Sequence, residues 1–382
     1  MRKDELTIKK RELMIFFNAL AQAGYDRNIQ FSLPLLGNVI LFKAAMDGGK
    51  LHIGDVIEKE VYRKILDAMD RKSKGAALRE IPTYDHFAGT LYQAGILLPE
   101  GLAQLEDLIG RIKAQNIVRG GDVYYVALDT NLLRDRFFST YLKNLGRHPN
   151  LDYILCETVR DELKNRKEKL GRKSLSALHP LRFDLLEACF LNQNCLEDRS
   201  RYIGFLEYNR MRAATSCEEL EASSTRSGAK NDRIILESYG CFVDVGRKIV
   251  FISRDNEAVR MMAGEDNVIP LLLEHAADIG RDFDAGWEAF FEWVYLLGVL
   301  FGKLDVGVSG VDVAGIYGTW RGKDVMEWEG DQLLLQVYPP RSGDREEMKD
   351  YTQIVESLKR NLGILAELDR EGLLPYTNPY QM

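Results

Sequence analysis

Four acidic residues stand where the chain passes from strand-like to helix-like pattern: Asp129, Glu162, Asp232 and Asp255. Asp129 ends the apolar run VYYVAL (123–128), and Asp255 follows KIVFIS (248–253) within Ser253-Arg254-Asp255. Glu162 lies one turn into the helical pattern after YILC (153–156). Asp232 opens the pattern NDRIILES behind a polar, Gly-containing loop. Taken singly, each acid has a simpler role, because Asp, Asn, Ser and Thr are favoured helix caps and surface acids are common. Thr158-Val159-Arg160-Asp161 fits a capping box, which accounts for Asp161 and leaves Glu162 for other work. Glu157, which ends the preceding strand, competes with Glu162 for the second acidic position. Taken together, grouped carboxylates offer hard oxygen donors that suit a divalent cation.

The elements around these acids must bring them together. From 123 to about 275, strand-like and helix-like segments alternate, which predicts a parallel sheet with helices on both faces. The strands are near-continuous apolar runs, as burial on both faces requires. In such a sheet, ligands gather outside the carboxyl ends of the strands, where these acids fall.

The flanks differ. Residues 1–118 read as a helical N-terminal domain, with apolar residues at helical spacing in ELMIFFNALAQAGY, DVIEKEVYRKILDAMDRK and LAQLEDLIGRIKAQN. Breakers at 47–50, Pro82 and 99–101 separate these segments, and RGGD at 119–122 marks the boundary. Residues 119–282 form the α/β domain. Residues 283–382, with a hydrophobic helix, Gly-rich strand-like segments and a charged amphipathic helix, predict a small α+β domain. A chain of 382 residues is long for one core, which agrees with division into domains.

Composition narrows the function. Apolar content of 46% and charged content of 29% describe an ordinary globular chain. The longest apolar stretch, Trp293–Gly302, falls well short of the roughly 20 residues that span a bilayer. The charged start MRKDELTIKKREL has no apolar signal segment, so a cytoplasmic protein that avoids membranes is expected. Five cysteines without Cys-x-x-Cys spacing predict reduced thiols. Five scattered histidines make histidine chemistry an improbable basis for function. Neither Gly-x-Gly-x-x-Gly nor Gly-x-x-x-x-Gly-Lys-[Ser/Thr] occurs, which argues against a nucleotide cofactor or a P-loop enzyme. The net charge of −7 leaves nucleic-acid binding to local patches.

The blocks ALDTNLL, TVRDELKN, KNDRIILES and IVFISRDNEAV resemble, in order and spacing, the four acidic blocks of the PIN-domain family. The resemblance covers roughly 123–275. The Asp-Thr-Asn after one strand and the Ser-x-Asp after a later one are its most specific parts, and the long insert at about 171–229 is that of a larger member. The resemblance implies a Rossmann-like three-layer domain and metal-dependent RNA cleavage. By position, it implies Asp129, Glu162, Asp232 and Asp255 as catalytic and metal-binding acids, with Asn131 and Ser253 shaping the site. Mg²⁺ or Mn²⁺ suits such oxygen ligands, and phosphodiester hydrolysis needs the activated water and charge stabilisation that such an ion gives.

Basic residues near these acids are candidates for an RNA substrate. The stretch 160–173 holds Arg160 and Lys164 among seven bases, a patch that fits a solvated helix face somewhat better than a phosphate-binding one. Arg226, Lys230 and Arg254 lie nearer the acids. Trp320 and Trp328 read as core of the small C-terminal domain rather than as base-stacking surfaces. Lys9-Lys10-Arg11 reads as a solvated helix end, and GRDFDAGWEAFFEW as a packing helix between domains. The chain is thus expected to be a metal-dependent ribonuclease, possible as a homo-oligomer. The alternatives are a non-catalytic RNA-binding or scaffold protein that keeps the fold, or a different Rossmann-like metal enzyme such as a phosphatase.

Overall fold

The computed structural model describes residues 4–47, 50–73, 75, 81–164, 196–214, 217–221, 231–243, 247–320, 325–340 and 345–373. In chain order the strands are β1 (Asp4–Lys9), β2 (Ile29–Leu33), β3 (Val39–Asp47), β4 (Lys50–Gly54), β5 (Val123–Leu128), β6 (Leu151–Cys156) and β7 (Cys217–Leu220). They continue with β8 (Arg247–Ser253), β9 (Val268–Leu272), β10 (Phe283–Ala285), β11 (Lys303–Val308), β12 (Val311–Gly318) and β13 (Gln332–Val337).

β5 to β9 form a five-stranded sheet in the order β7-β6-β5-β8-β9, with every pair parallel. β5 is buried from Tyr124 onward, in keeping with its β-branched and aromatic run. The chain moves from β5 outward through β6 and β7, then crosses to β8 and β9 on the other side. The strand order therefore reverses between β5 and β8, which makes the carboxyl end of that pair a topological switch point. β7 arises inside the segment expected as an insert. Residues 241–245, expected as a possible strand, are helical through Phe242, and 244–246 lie outside the described residues.

The expected helical N-terminal domain gives way to something else. Helices do occur at Leu13–Gln22, Lys59–Ser73, Tyr84–Gln93 and Leu102–Lys113, but β1 to β4 stand among them. These strands join β10 to β13 in one eight-stranded antiparallel sheet, ordered β1-β13-β12-β11-β2-β3-β4-β10. The two flanks thus complete a single sheet, and one hydrophobic core runs from Ile8 through Trp293 to Leu358. Helix Leu102–Lys113 instead packs into the core of the parallel sheet. The physical reason is sequence distance: Asp4 pairs with Val337 and Val306 with Phe31, so no local pattern carries the pairing.

Helix Trp287–Phe301 sits at the centre of the antiparallel unit, with Phe290, Trp293, Leu297 and Phe301 buried. Apolar residues on all sides are what an engulfed helix requires. Among the described residues no helix is long and apolar enough to cross a membrane. Trp320 and Trp328 are buried and pack edge to face. Cys156, Cys217 and Cys241 are free thiols.

The two units are fastened by charge. Glu292, on the central helix, receives ion pairs from Lys10 of the antiparallel unit and Arg136 of the parallel unit. Lys10 also lies 3.5 Å from Asp331, so it is a half-buried linker rather than a solvated helix end. Burial opposes the charge on Glu292, yet Arg136 and Lys10 outweigh it and hold the carboxyl down to about 2. Removing one member of such a cluster strands the others. Glu292→Gln is expected to cost about 3–5 kcal/mol in urea unfolding at neutral pH. Because the folded pKa is depressed, the stabilisation is present above the usual carboxylate range and fades as pH falls toward about 2. The gap between wild type and variant should narrow over that interval, and a gap independent of pH would count against the cluster.

Candidate functional site

β5 and β8 lie in register, with Leu128 opposite Ile252, so the next residues, Asp129 and Ser253, emerge side by side. The amide of Asp129 continues the ladder by donating to the carbonyl of Ile252 at 3.0 Å. Asp129 caps helix Thr130–Arg134: its Oδ1 accepts from the amide of Thr130 at 2.7 Å. Its Oδ2 accepts from the side-chain amide of Asn131 at 2.7 Å and from the hydroxyl of Ser253 at 2.6 Å.

Asn131 and Ser253 bind one another too. The Asn131 Nδ2 donates to Ser253 Oγ at 3.2 Å, and its Oδ1 accepts from the backbone amide of Arg254 at 3.1 Å. Ser253 is fully buried, and its Oγ also accepts from the amide of Asp255 at 2.8 Å. Every polar atom of these two small side chains is thus engaged in aligning the β5 and β8 tips. A buried network of this kind fixes geometry because each lost partner leaves an unmet group.

Glu162 reaches the same place from helix Glu157–Lys164, which follows β6. The hydroxyl of Thr130 donates to its Oε2 at 2.6 Å. Thr130 therefore serves Asp129 with its amide and Glu162 with its hydroxyl. Close approach of the helices is allowed by Gly204 on helix Leu196–Ala213. A Cβ there would meet Leu163 at 2.7 Å and Arg134 at 3.1 Å. Glu157, the alternative second acid, pairs instead with Arg160 at 3.0 Å.

Asp255 has a different local role. Its exposed carboxylate caps helix Asn256–Met262, accepting from the amides of Glu257 at 2.7 Å and Ala258 at 3.4 Å. Asp232 lies in the first turn of helix Asn231–Phe242, and its side chain is outside the described residues. Among the described residues no three acidic, histidine or cysteine side chains form a group that could hold a metal ion. The donors that do meet, Asp129 and Glu162 through Thr130, are all oxygen, the chemistry that Mg²⁺ and Mn²⁺ favour over softer metals.

The basic candidates are mostly engaged. Arg160 is held by Glu157 and Glu219 at 3.0 Å each and by Asp161 at 3.5 Å. Lys164 is exposed at the end of its helix. Arg226, Lys230 and the patch from 165 onward lie outside the described residues. Arg254 turns away from the acids and pairs with Asp135 at 2.7 Å. The same Asp135 oxygen receives Nε2 of His275 at 2.9 Å.

Asp135 and His275 were not singled out from the sequence, and Thr130 entered only as the middle of the Asp-Thr-Asn triplet, with no role of its own. His275 could have been, because it lies just past the carboxyl end of β9, as Asp255 does past β8. No protein-family model, curated protein or solved structure matches the chain.

The network predicts a specific sensitivity. Ser253→Ala removes the donor to Asp129 and the acceptor for the Asp255 amide in a buried place, at a cost of about 1–3 kcal/mol. Thermal or urea unfolding measures it, and a loss no larger than that of an exposed Ser→Ala change would refute the network's role.

Proposed function

We propose that this chain is a metal-dependent ribonuclease with a PIN-like parallel-sheet domain. The observation that carries the reading is the joining of Asp129, Asn131 and Ser253 at the switch point of the parallel sheet, with Glu162 brought alongside by Thr130. Ligands of open parallel sheets collect at that edge, and the two strands that supply Asp129 and Ser253 are those between which the strand order reverses.

In this reading Asp129 and Glu162, with Asp232 and Asp255 from the neighbouring helix starts, hold Mg²⁺ or Mn²⁺. When bound, the ion supplies a water of lowered pKa and offsets charge on the reacting phosphate. Asn131 and Ser253 orient the Asp129 carboxylate, since hydrogen bonds from behind a ligand fix its position. Arg254, beside the Asn131 amide oxygen, is placed to meet a phosphate of the strand on the far side of that network. A non-catalytic RNA-binding protein of the same fold is the second reading. It is favoured by the capping role of Asp255 and the ion-paired state of Arg160.

Cleavage of single-stranded and structured RNA with Mg²⁺ or Mn²⁺ separates the two. Wild type should cleave, and Asn131→Ala should lower the rate about 10–100-fold, as loss of a group behind a metal ligand does. Asp129→Asn should lower it further. Equal rates in wild type and Asp129→Asn would sink the site, and RNA binding without metal-dependent cleavage would favour the second reading. Mn²⁺ should also raise the melting temperature of wild type, because a cation relieves repulsion among the grouped acids. That shift should vanish in Asp129→Asn.

A further inference from the structure

A cleft of about 460 Å³ opens on the far side of Asn131 and Arg254 from the acids, between the two units. Its size lies within the roughly 300–1,000 Å³ range of small-ligand sites. The parallel unit contributes Arg134, Asp135 and His275 to the walls. The antiparallel unit contributes Lys59, His86 and Gly89.

The charges in it are unevenly shared. Lys59 pairs with Asp85 at 3.2 Å, and Arg254 with Asp135. Arg134 pairs with Glu197 at 3.1 Å, but Glu197 also accepts from Arg201 at 2.7 Å. The three cations of the lining thus meet three carboxylates, of which Glu197 is also claimed by Arg201 from outside the lining and Asp135 by His275. Arg254 engages Asp135 through Nη1, and Arg134 engages Glu197 through Nη2. A guanidinium carries five N–H donors in a planar fork suited to phosphate.

The remainder of the cleft suits a nucleoside. Tyr92 and His275, both in the lining, stack on one another at 3.7 Å with their planes 4° apart, so a buried ring of the antiparallel unit is rigidly backed by one from the parallel unit. The amide of Ala276 donates to the Tyr92 hydroxyl at 2.8 Å, which locks that pair. Ile279 and Leu300 supply apolar surface. His86 Nδ1 accepts from the Thr83 amide at 3.2 Å, so its proton sits on Nε2. Burial lowers the pKa of His86 and keeps the ring neutral, a hydrogen-bond donor rather than a charge.

We propose that this cleft is a nucleotide subsite. It takes one phosphate-bearing nucleoside of a single-stranded RNA, with the phosphate on Arg254 and Arg134 and the nucleoside against the wall of the antiparallel unit. The assignment rests on the ribonuclease reading for its polymer, and on the cleft alone for its nucleotide. In this arrangement the flanks close one side of the path that leads away from the acids.

Adenosine 5′-monophosphate, titrated by calorimetry into the full chain with EDTA present, tests the cleft without cleavage. Wild type should bind it saturably, and more tightly than inorganic phosphate. Gly89 has nothing within 4 Å of where a Cβ would sit, and it lies within helix Tyr84–Gln93. Gly89→Leu should therefore keep the fold, favour the helix and fill the cleft. Binding should weaken about tenfold or more in Gly89→Leu and in Lys59→Glu, a loss of about 1.4 kcal/mol or more.

Three results overturn the subsite: no binding to folded wild type, undiminished binding to Gly89→Leu, or inorganic phosphate binding as tightly as the nucleotide. RNA cleavage by wild type without nucleotide binding removes the subsite and leaves the ribonuclease reading. Nucleotide binding lost in Gly89→Leu, with no RNA cleavage by wild type, does the reverse.

Discussion

The carboxylate of Glu292 is the point on which the two halves of the molecule turn. It sits on a helix engulfed by the antiparallel unit, where a lone charge could not remain. Lys10 reaches it from the start of the chain and Arg136 from the parallel unit. Arg136 does so at a cost, because its backbone is left-handed, with φ of 59°, a region that a side chain other than glycine or asparagine seldom adopts. The strain is held by several contacts at once: the Glu292 pair, a hydrogen bond of 3.2 Å to the Gln93 carbonyl, and the face of Trp328 at 5.8 Å. One guanidinium thereby ties the helix turn after β5 to the core of the other unit.

That tie has a consequence for the strand tips. Arg136 directly follows the short helix Thr130–Arg134 and its cap, so fixing Arg136 fixes the turn that carries Thr130, Asn131, Arg134 and Asp135. Thr130 and Asn131, which face the acids, and Arg134 and Asp135, which face the cleft, come from that one run. Gly204 seats a second helix against the same turn, where a Cβ would crowd Leu163 and Arg134. The arrangement of the candidate site is therefore a product of both units, even though its acids all come from one.

The parallel unit was largely legible in the sequence, because its strands are local apolar runs ended by polar triplets. VYYVAL became β5 with the same bounds, and KIVFIS became β8 with one residue added. The tips followed from the same logic, since a parallel strand can deliver its next residue only at the carboxyl edge. The antiparallel sheet was not legible in this way. β1 is a charged, alternating stretch whose partner lies more than three hundred residues away, and β10 has three residues. Such strands are selected by tertiary pairing rather than by their own pattern. Lys10 and Glu292 were hidden for the same reason: a charge run and an acid in a greasy helix acquire meaning only when the fold sets them together.

Asn131 shows how closely the two functional regions are joined. Its Nδ2 faces Asp129 and Ser253, while its Oδ1 holds the amide of Arg254, whose side chain turns into the cleft with Asp135. A shift at either end of this side chain is felt at the other, because a primary amide cannot rotate to satisfy one side without losing the other. Position 131 thus demands a group that donates and accepts in one plane. Aspartate would place a second carboxylate against Asp129 and lose the donor, and leucine would lose all three bonds. The requirement arises from the register of β5 and β8 and does not depend on what the acids bind.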